Sequence, residues 1–246
     1  MNLIIDRGNT LTKLALFKEG EMLDFKAIPQ FGLDELIAFS TDKSIESTIL
    51  SSVKSYPSEV DSFLKENFRT ILFDHQTSLP ITNRYDTPET LGKDRLAAVV
   101  GAWHKFPKEN VLVIDAGTAL TFDFINADGE YLGGAISPGI AMRFKALNQF
   151  TDKLPLVGLS DSAELIGRST ESSILSGVLN GIVAEVEGTI QNYQLVCPDL
   201  KIVMTGGDQY YFDKRLKIKT FAALNLVVEG LNLILDFNIG TSESYS

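Results

Sequence analysis

Unbroken apolar runs that stop at an aspartate set the pattern of this chain. Leu3-Ile4-Ile5 ends at Asp6, and after a short polar interval Leu14-Ala15-Leu16-Phe17 follows. A run with no polar break suits a strand buried on both faces. The pattern occurs again: Leu112-Val113-Ile114 ends at Asp115, and a second apolar run follows. Laid without a gap at an offset of 109 places, residues 112–132 match residues 3–23 at nine of 21 positions. Asp6 meets Asp115, Gly8 meets Gly117, and Thr10 is answered by Thr118 one place earlier. Each copy then reaches an X-Gly turn, Glu19-Gly20 and Asp128-Gly129, which is a strong hairpin signal. The period is too long for a solenoid and fits two related halves.

The pattern predicts further elements in order. After the first hairpin come a strand over 22–28, a short helix over 33–39 and a strand over 47–53. Tyr56, Val60, Phe63, Leu64 and Phe68 recur at helical spacing, so 56–68 is an amphipathic helix leading into a strand over 70–73. Residues 74–88 are polar, carry Pro80 and Pro88, and read as a loop. A helix with the apolar face Leu96, Val99, Val100, Trp103 and Phe106 ends at Pro107, and Val111 opens the second half. There the hairpin is followed by a strand over 131–136, Ser137-Pro138-Gly139 and a helix to about 150. A loop over 154–168, a long amphipathic helix over 171–195 and a strand over 201–205 come next. A helix over 221–237 and a frayed tail over 240–246 close the chain. Strands mixed with helices in this order are α/β, and the repeat divides the chain into domains 1–110 and 111–246.

Composition narrows the function classes. With 246 residues there is room for two domains, and 44% hydrophobic with 22% charged residues is the balance of a folded protein. A formal charge of −10 speaks against a nucleic-acid partner, which needs a basic patch. Cys197 is the one cysteine, so no intrachain disulfide can form. The N-terminus lacks the basic and apolar regions of a signal peptide, and no apolar run reaches membrane-spanning length. The chain therefore reads as cytoplasmic, with no membrane partner. His75 and His104 have no neighbours at zinc-ligand spacing, and neither a P-loop nor a hydrolase nucleophile elbow is present.

Several residues could carry chemistry. Asp6 and Asp115 end buried strands and offer oxygen to hard cations. The glycines after them let the backbone turn tightly, and the following N–H groups with Asn9 or Thr118 can donate to phosphate oxygens. Lys13 can return along the second strand toward the same place. Gly206-Gly207, after a strand, can let backbone approach a nucleobase. Gly92-Lys93-Asp94-Arg95 stands at a helix start, where N–H groups favour anions. Asp94 there can accept a proton from a substrate hydroxyl, and Arg95 can clamp a carboxylate. Turn chemistry for the first set and helix capping for Asp94 are the bland alternatives. Trp103 and Cys197 read as packing residues.

These motifs stand in one order: Asp6-x-Gly8-Asn9-Thr10 with Lys13, Gly92-x-Asp94-Arg95, Asp115-x-Gly117-Thr118-Ala119-x-Thr121, Ser137-Pro138-Gly139 and Gly206-Gly207-Asp208. In that order the chain resembles the type III pantothenate kinases of the acetate kinase/sugar kinase/Hsp70/actin superfamily. The resemblance implies two duplicated actin-like (ribonuclease H-like) α/β domains with an ATP cleft between them. It implies ATP-dependent phosphorylation of pantothenate at its primary hydroxyl, the first step toward coenzyme A. Asp6, Arg7, Gly8, Asn9, Thr10, Leu11, Thr12 and Lys13 would form the ATP-phosphate turn, with Asp6 near Mg²⁺, and Thr118 would bind ATP. Asp115 would coordinate a monovalent cation, K⁺ or NH₄⁺. Asp94 would be the general base, and Gly92, Lys93, Asp94, Arg95 and Tyr85 would bind pantothenate. Thr170 would reach the substrate across a homodimer interface, for which the 171–195 helix is the candidate. Two positions depart from the family pattern: Arg7, where a small or apolar residue is commonest, and Ser169, where Asn is frequent. The competing expectations are another small-molecule kinase of the superfamily and a non-catalytic nucleotide-binding accessory factor of transcription.

Overall fold

The computed structural model describes residues 1–243, with side-chain surroundings through Gly240. The strands are β1 (Asn2–Arg7), β2 (Thr12–Lys18), β3 (Glu21–Ile28), β4 (Ser47–Ser52), β5 (Arg69–Leu72) and β6 (Thr82–Asn83) in the first part of the chain. Those that follow are β7 (Asn110–Ala116), β8 (Ala119–Ile125), β9 (Glu130–Pro138), β10 (Leu200–Thr205) and β11 (Phe221–Ala222). The helices are α1 (Leu33–Ser40), α2 (Ser58–Asn67), α3 (Lys93–Lys105), α4 (Ile140–Gln149), α5 (Thr170–Leu175), α6 (Gly181–Val196), α7 (Gln209–Asp213) and α8 (Leu226–Glu243).

The chain forms two compact units. The first comprises Met1–Pro107, Gly129–Leu132 and the segment from Asn225 onward; the second comprises Lys108–Asp128 and Gly133–Leu224. These compact units do not follow a single cut at 110. The start of β9 and all of α8 leave the second half of the sequence and fold with the first unit. A repeat in sequence shows which segments are related, not which ones pack together.

In the first unit the sheet order is β3-β2-β1-β4-β5, with β1 antiparallel to β2 and parallel to β4. The turn between β2 and β3 puts both Glu19 (φ 53) and Gly20 (φ 83) in the left-handed region, as a two-residue type I′ hairpin requires. Leu3, Ile5, Leu14, Leu16 and Leu50 pack with Leu36 and Phe39 of α1 and Val60 and Leu64 of α2 on one face. Helix α8 lies against β1, β2 and β4 and also packs on α3. In the second unit the order β9-β8-β7-β10-β11 repeats the first position by position. Its core joins Leu112, Ile114, Phe122 and Met204 to Phe144 of α4, Ile182 and Val186 of α6, and Phe212 of α7. The duplication read from 21 aligned residues thus extends to the connectivity of both sheets.

Three expectations change. The 74–88 loop contains β6, which pairs parallel with the start of β9, Thr82 opposite Glu130 and Asn83 opposite Tyr131. The 171–195 helix is interrupted by a π-helical turn over Ser176–Asn180 between α5 and α6. The 221–237 helix begins later, at Leu226, after β11, and runs to Glu243, so 240–243 is helical and not a tail. Residues 244–246 of that expected tail lie outside the described residues. Pattern alone merged β11 with α8, because a short edge strand and a helix start are both apolar.

The α3–α8 contact is a close backbone approach made possible by two glycines. A Cβ on Gly230 would lie 1.8 Å from the Ala97 carbonyl oxygen, and one on Gly101 would lie 2.7 Å from that of Leu226. Each glycine costs its helix about 1 kcal/mol relative to alanine, so burial on both helices must offset that cost. Leu96, Val99 and Val100 on α3 and Leu226, Leu231 and Ile234 on α8 are fully or almost fully buried. Gly230→Ala is therefore expected to destabilise the protein, by about 1–3 kcal/mol as for overpacked cores, despite alanine's better helix propensity. Thermal unfolding should show a lower midpoint; an unchanged or raised midpoint would refute the close approach.

Candidate active site

In the first unit, Asp6 and Lys13 face each other across the β1–β2 pair, with Lys13 Nζ 3.5 Å from Asp6 Oδ2. Asp6 is 6% exposed. Burial pushes its carboxyl above the usual carboxylate range; Asp94 adds to the rise, and the Lys13 ammonium opposes it. Between the strands the chain turns through Gly8–Leu11, closed by a Gly8 N–H bond to the Leu11 carbonyl at 3.1 Å. Asn9, Thr10 and Leu11 are exposed, and Thr12 returns to the buried sheet.

Arg7 departs from the expected phosphate turn. Side chains alternate along a strand, so Arg7 lies on the face opposite Asp6. Its guanidinium carbon is 5.8 Å from the ring centre of Phe31 and 6.0 Å from that of Tyr56. Tyr56 is pushed up to about 12 by burial and by its hydrogen bond with Asp61. The Arg7 side chain thus caps the α1–α2 core.

Asp94 sits in the first turn of α3, where helix N–H groups favour negative charge. The capping reading for Asp94 is replaced: Gly92 is the N-cap residue, and Asp94 accepts the Arg95 backbone N–H at 2.9 Å. A Cβ on Gly92 would lie 2.6 Å from Asp94 Oδ1, so glycine leaves the carboxylate its place. Arg95 is 7% exposed and lies 5.7 Å from the Tyr85 ring centre. Tyr85 stacks on Tyr131 with ring centres 6.1 Å apart and an interplanar angle of 22°. Tyr131 is the tertiary partner that sequence reasoning missed; its signal was only an aromatic at the start of a strand, two residues after the Asp128-Gly129 turn. Lys93 Nζ lies 3.4 Å from the Ser52 carbonyl, at the end of β4.

In the second unit Asp115 pairs with Thr121 of β8 and Thr205 of β10 in register. The Gly117 N–H donates to the Ala119 carbonyl at 3.0 Å, and the Gly139 N–H to the Thr118 carbonyl at 3.2 Å. Gly206 has φ +96, and a Cβ there would lie 2.4 Å from both the Ala116 carbonyl and Asp115 Oδ1. The Asp208 N–H donates to the Ala116 carbonyl at 2.9 Å, drawing the Gly206-Gly207 loop onto the β7 turn. Beside it lies a cavity of about 370 Å³ lined by Ile140, Phe144, Lys145, Val157, Leu159 and Asp208. Burial pushes the Asp208 carboxyl up.

Thr170 is exposed at the first position of α5, following the N-cap Ser169, whose side chain accepts the Ser172 N–H. Ser and Asn both cap helices well, which gives Ser169 a physical equivalence to the family's Asn. Thr170 lines a different cavity, of about 780 Å³, with Leu147, Leu154, Arg168 and Ser173.

A carboxylate at the end of the central strand, a glycine turn behind it and a sheet repeated in the same order are consistent with a duplicated actin-like α/β fold. Solved structures agree in fold. A Campylobacter jejuni protein described as a Baf family transcriptional activator is 22% identical with a TM-score of 0.61, over 97% of this chain and 99% of that one. A ROK family glucokinase from Streptomyces griseus, in complex with glucose and AMPPNP, is 11% identical with a TM-score of 0.54, over 96% and 98%. Sequence comparison resolves the family. Residues 2–192 match the type III pantothenate kinase family. Relatives bearing that name include one from Christiangramia forsetii, 47% identical over 97% of this chain and 99% of its own length. Another, from Flavobacterium johnsoniae, is 39% identical over 97% and 99%. The chain belongs to the type III pantothenate kinase family.

Two expectations follow from the geometry. A buried carboxylate with a raised pKa holds its charge at a cost at neutral pH, so Asp6→Asn should raise the unfolding midpoint of the ligand-free protein at pH 7. A lowered midpoint would show that the Lys13 pairing outweighs the burial cost. Gly206→Ala places a side chain at positive φ against Asp115 and should destabilise by about 1–3 kcal/mol, read as a lower denaturant midpoint at unchanged slope.

Proposed function

We infer that the chain transfers the γ-phosphoryl group of ATP to the primary hydroxyl of pantothenate, giving 4'-phosphopantothenate and ADP, the first step of coenzyme A biosynthesis. The observation that carries the residue assignment is the placement of Asp94 in the first turn of α3. There it stands within electrostatic reach of the phosphate-turn carboxylate Asp6 and next in sequence to the buried Arg95.

Asp94 is the general base. It takes the proton of the pantothenate hydroxyl as that oxygen attacks the γ-phosphorus, and the bond to the β-phosphate oxygen breaks to release ADP. Phosphoryl transfer needs positioning and charge neutralisation more than covalent catalysis. Arg95 clamps the pantothenate carboxylate, its guanidinium oriented by Tyr85, and Gly92, Lys93 and Tyr85 complete the acceptor site. The Gly8–Leu11 turn and Lys13 hold the ATP phosphates, and Thr118 also binds ATP.

The acidic residues fit cations. Mg²⁺ typically takes one or two carboxylates plus substrate phosphates, and Asp6 is a nearly buried carboxylate beside the Gly8–Leu11 turn. Asp6 would hold it; when bound it supplies charge neutralisation at the phosphates. Asp115 is the proposed ligand of the monovalent cation, K⁺ or NH₄⁺, a reading supported by its carboxylate near the end of β7, beside the Gly117 turn. Thr170 acts across a homodimer interface, a reading supported by its exposed apolar neighbours Leu165 (81%) and Ile166 (75%). Among the described residues no helix is long and apolar enough to cross a membrane, and the proposed setting is the cytoplasm.

The test is ADP release from ATP and Mg²⁺ with and without pantothenate, in potassium and in sodium buffer. Pantothenate-dependent turnover that requires potassium is expected, and Asp94→Asn should lower kcat by about 10²–10⁴ with little change in nucleotide affinity. Turnover only with another hydroxylated acceptor would replace the substrate, and ATP binding without turnover would favour a non-catalytic accessory role.

A further inference from the structure

The segment leaving β4 brings a lysine to the phosphate turn that the motif reading did not include. Strand β4 runs parallel beside β1, with Ser51 opposite Asp6 and Ser52 opposite Arg7. The chain therefore leaves β4 alongside the Gly8–Leu11 turn, and the Val53 N–H donates to the Arg7 carbonyl at 3.1 Å. Next, Ser52 Oγ donates to the Lys54 carbonyl at 2.6 Å and accepts the Lys54 N–H at 3.2 Å, a tight local loop that fixes where Lys54 leaves the backbone. The Lys54 ammonium donates to the carbonyl of Asn9, in the middle of the turn. Lys93 reaches the same strand end from α3, through the Ser52 carbonyl.

We propose that Lys54 is an ATP-binding residue that pairs with the polyphosphate at the Gly8–Leu11 turn; this rests on the reading of that turn as the phosphate site. Three ammonium groups, those of Lys13, Lys54 and Lys93, reach the end of the β1–β4 pair in a chain of net charge −10. Their roles differ. Lys13 is opposed by the Asp6 carboxylate, whereas the Lys54 ammonium is held by a neutral carbonyl. A phosphate oxygen is a stronger acceptor than that carbonyl, since ionised partners make hydrogen bonds roughly twice as strong. Lys54 is exposed, so its stem is free to swing from Asn9 to an arriving phosphate.

The alternative is that Lys54 only ties down the turn through Asn9, and three substitutions separate the two roles. Lys54→Gln keeps a donor for the Asn9 carbonyl without the charge, Lys54→Met removes both, and Lys54→Arg keeps the charge. ATP and ADP affinities are measured by calorimetry with Mg²⁺, beside KM for ATP and for pantothenate and the thermal midpoint of each variant. The Gln and Met variants are expected to weaken nucleotide binding by about three- to tenfold, the range for an exposed charge-assisted contact. KM for pantothenate and the midpoint should stay near wild type, the salt dependence of ATP binding should become shallower, and Arg should restore the affinity. Nucleotide affinity within twofold of wild type in the Met variant, or restored by Gln, would overturn the proposal. Calorimetry needs no turnover, so wild-type ATP binding without pantothenate phosphorylation would sink the substrate assignment and leave the Lys54 comparison intact. Failure of the wild type to bind ATP would overturn both.

Discussion

The first unit is built around a carboxylate kept almost out of water. Asp6 ends an apolar strand, is nearly buried, and has its carboxyl pushed upward by that burial. Carrying such a charge is costly unless a partner answers it. The strand register supplies Lys13 directly across the β1–β2 pair. That pairing compensates only in part, because burial remains the larger influence and Asp94 adds repulsion. A carboxylate whose charge is only partly compensated is predisposed to take a cation.

The same constraint explains the use of glycine. At Gly92 the room next to the backbone is taken by the Asp94 carboxylate, and at Gly206 by the Asp115 carboxylate and the Ala116 carbonyl. Only at Gly206 does a positive φ add to the requirement. Between α3 and α8 glycine serves packing: Gly101 and Gly230 let two backbones approach more closely than any side chain would allow. Helix α3, whose first turn carries Asp94, is thereby seated by α8, which arrives from the far end of the sequence. A residue assigned to chemistry thus depends on a contact far from it along the chain.

The two units share connectivity and differ in what they hang on it. Both place a glycine turn after the central strand, β1 or β7, and both have a parallel strand beside it, β4 or β10. In the first unit the segment after that neighbour delivers Lys54 to the turn; in the second it delivers Gly206 and the Asp208 N–H. One scaffold thus presents positive charge in one copy and close backbone in the other. Differences in loops on a repeated sheet give its two copies different chemistry.

Much of this was legible in the sequence because it is local. Apolar runs that end in Asp, helical spacing and X-Gly turns report on neighbours along the chain, and they located β1 to β5, β7 to β10, α1 to α4 and the Asp6, Asp94 and Asp115 turns. The motif order carried the family. What sequence left open depended on distant segments. The return of α8 to the first sheet could not be read, because it is a contact between distant segments. Strand β6 was invisible because two polar residues become a strand only when β9 is beside them. Arg7 was grouped with the phosphate turn by adjacency, whereas strand alternation sent it to Phe31 and Tyr56 on the opposite face. Lys54 and Tyr131 carried no motif at all. Local pattern determines which residues form elements and where turns fall; which side chains share a site is decided when strands pair in register and helices cross, since only then do residues far apart in sequence meet.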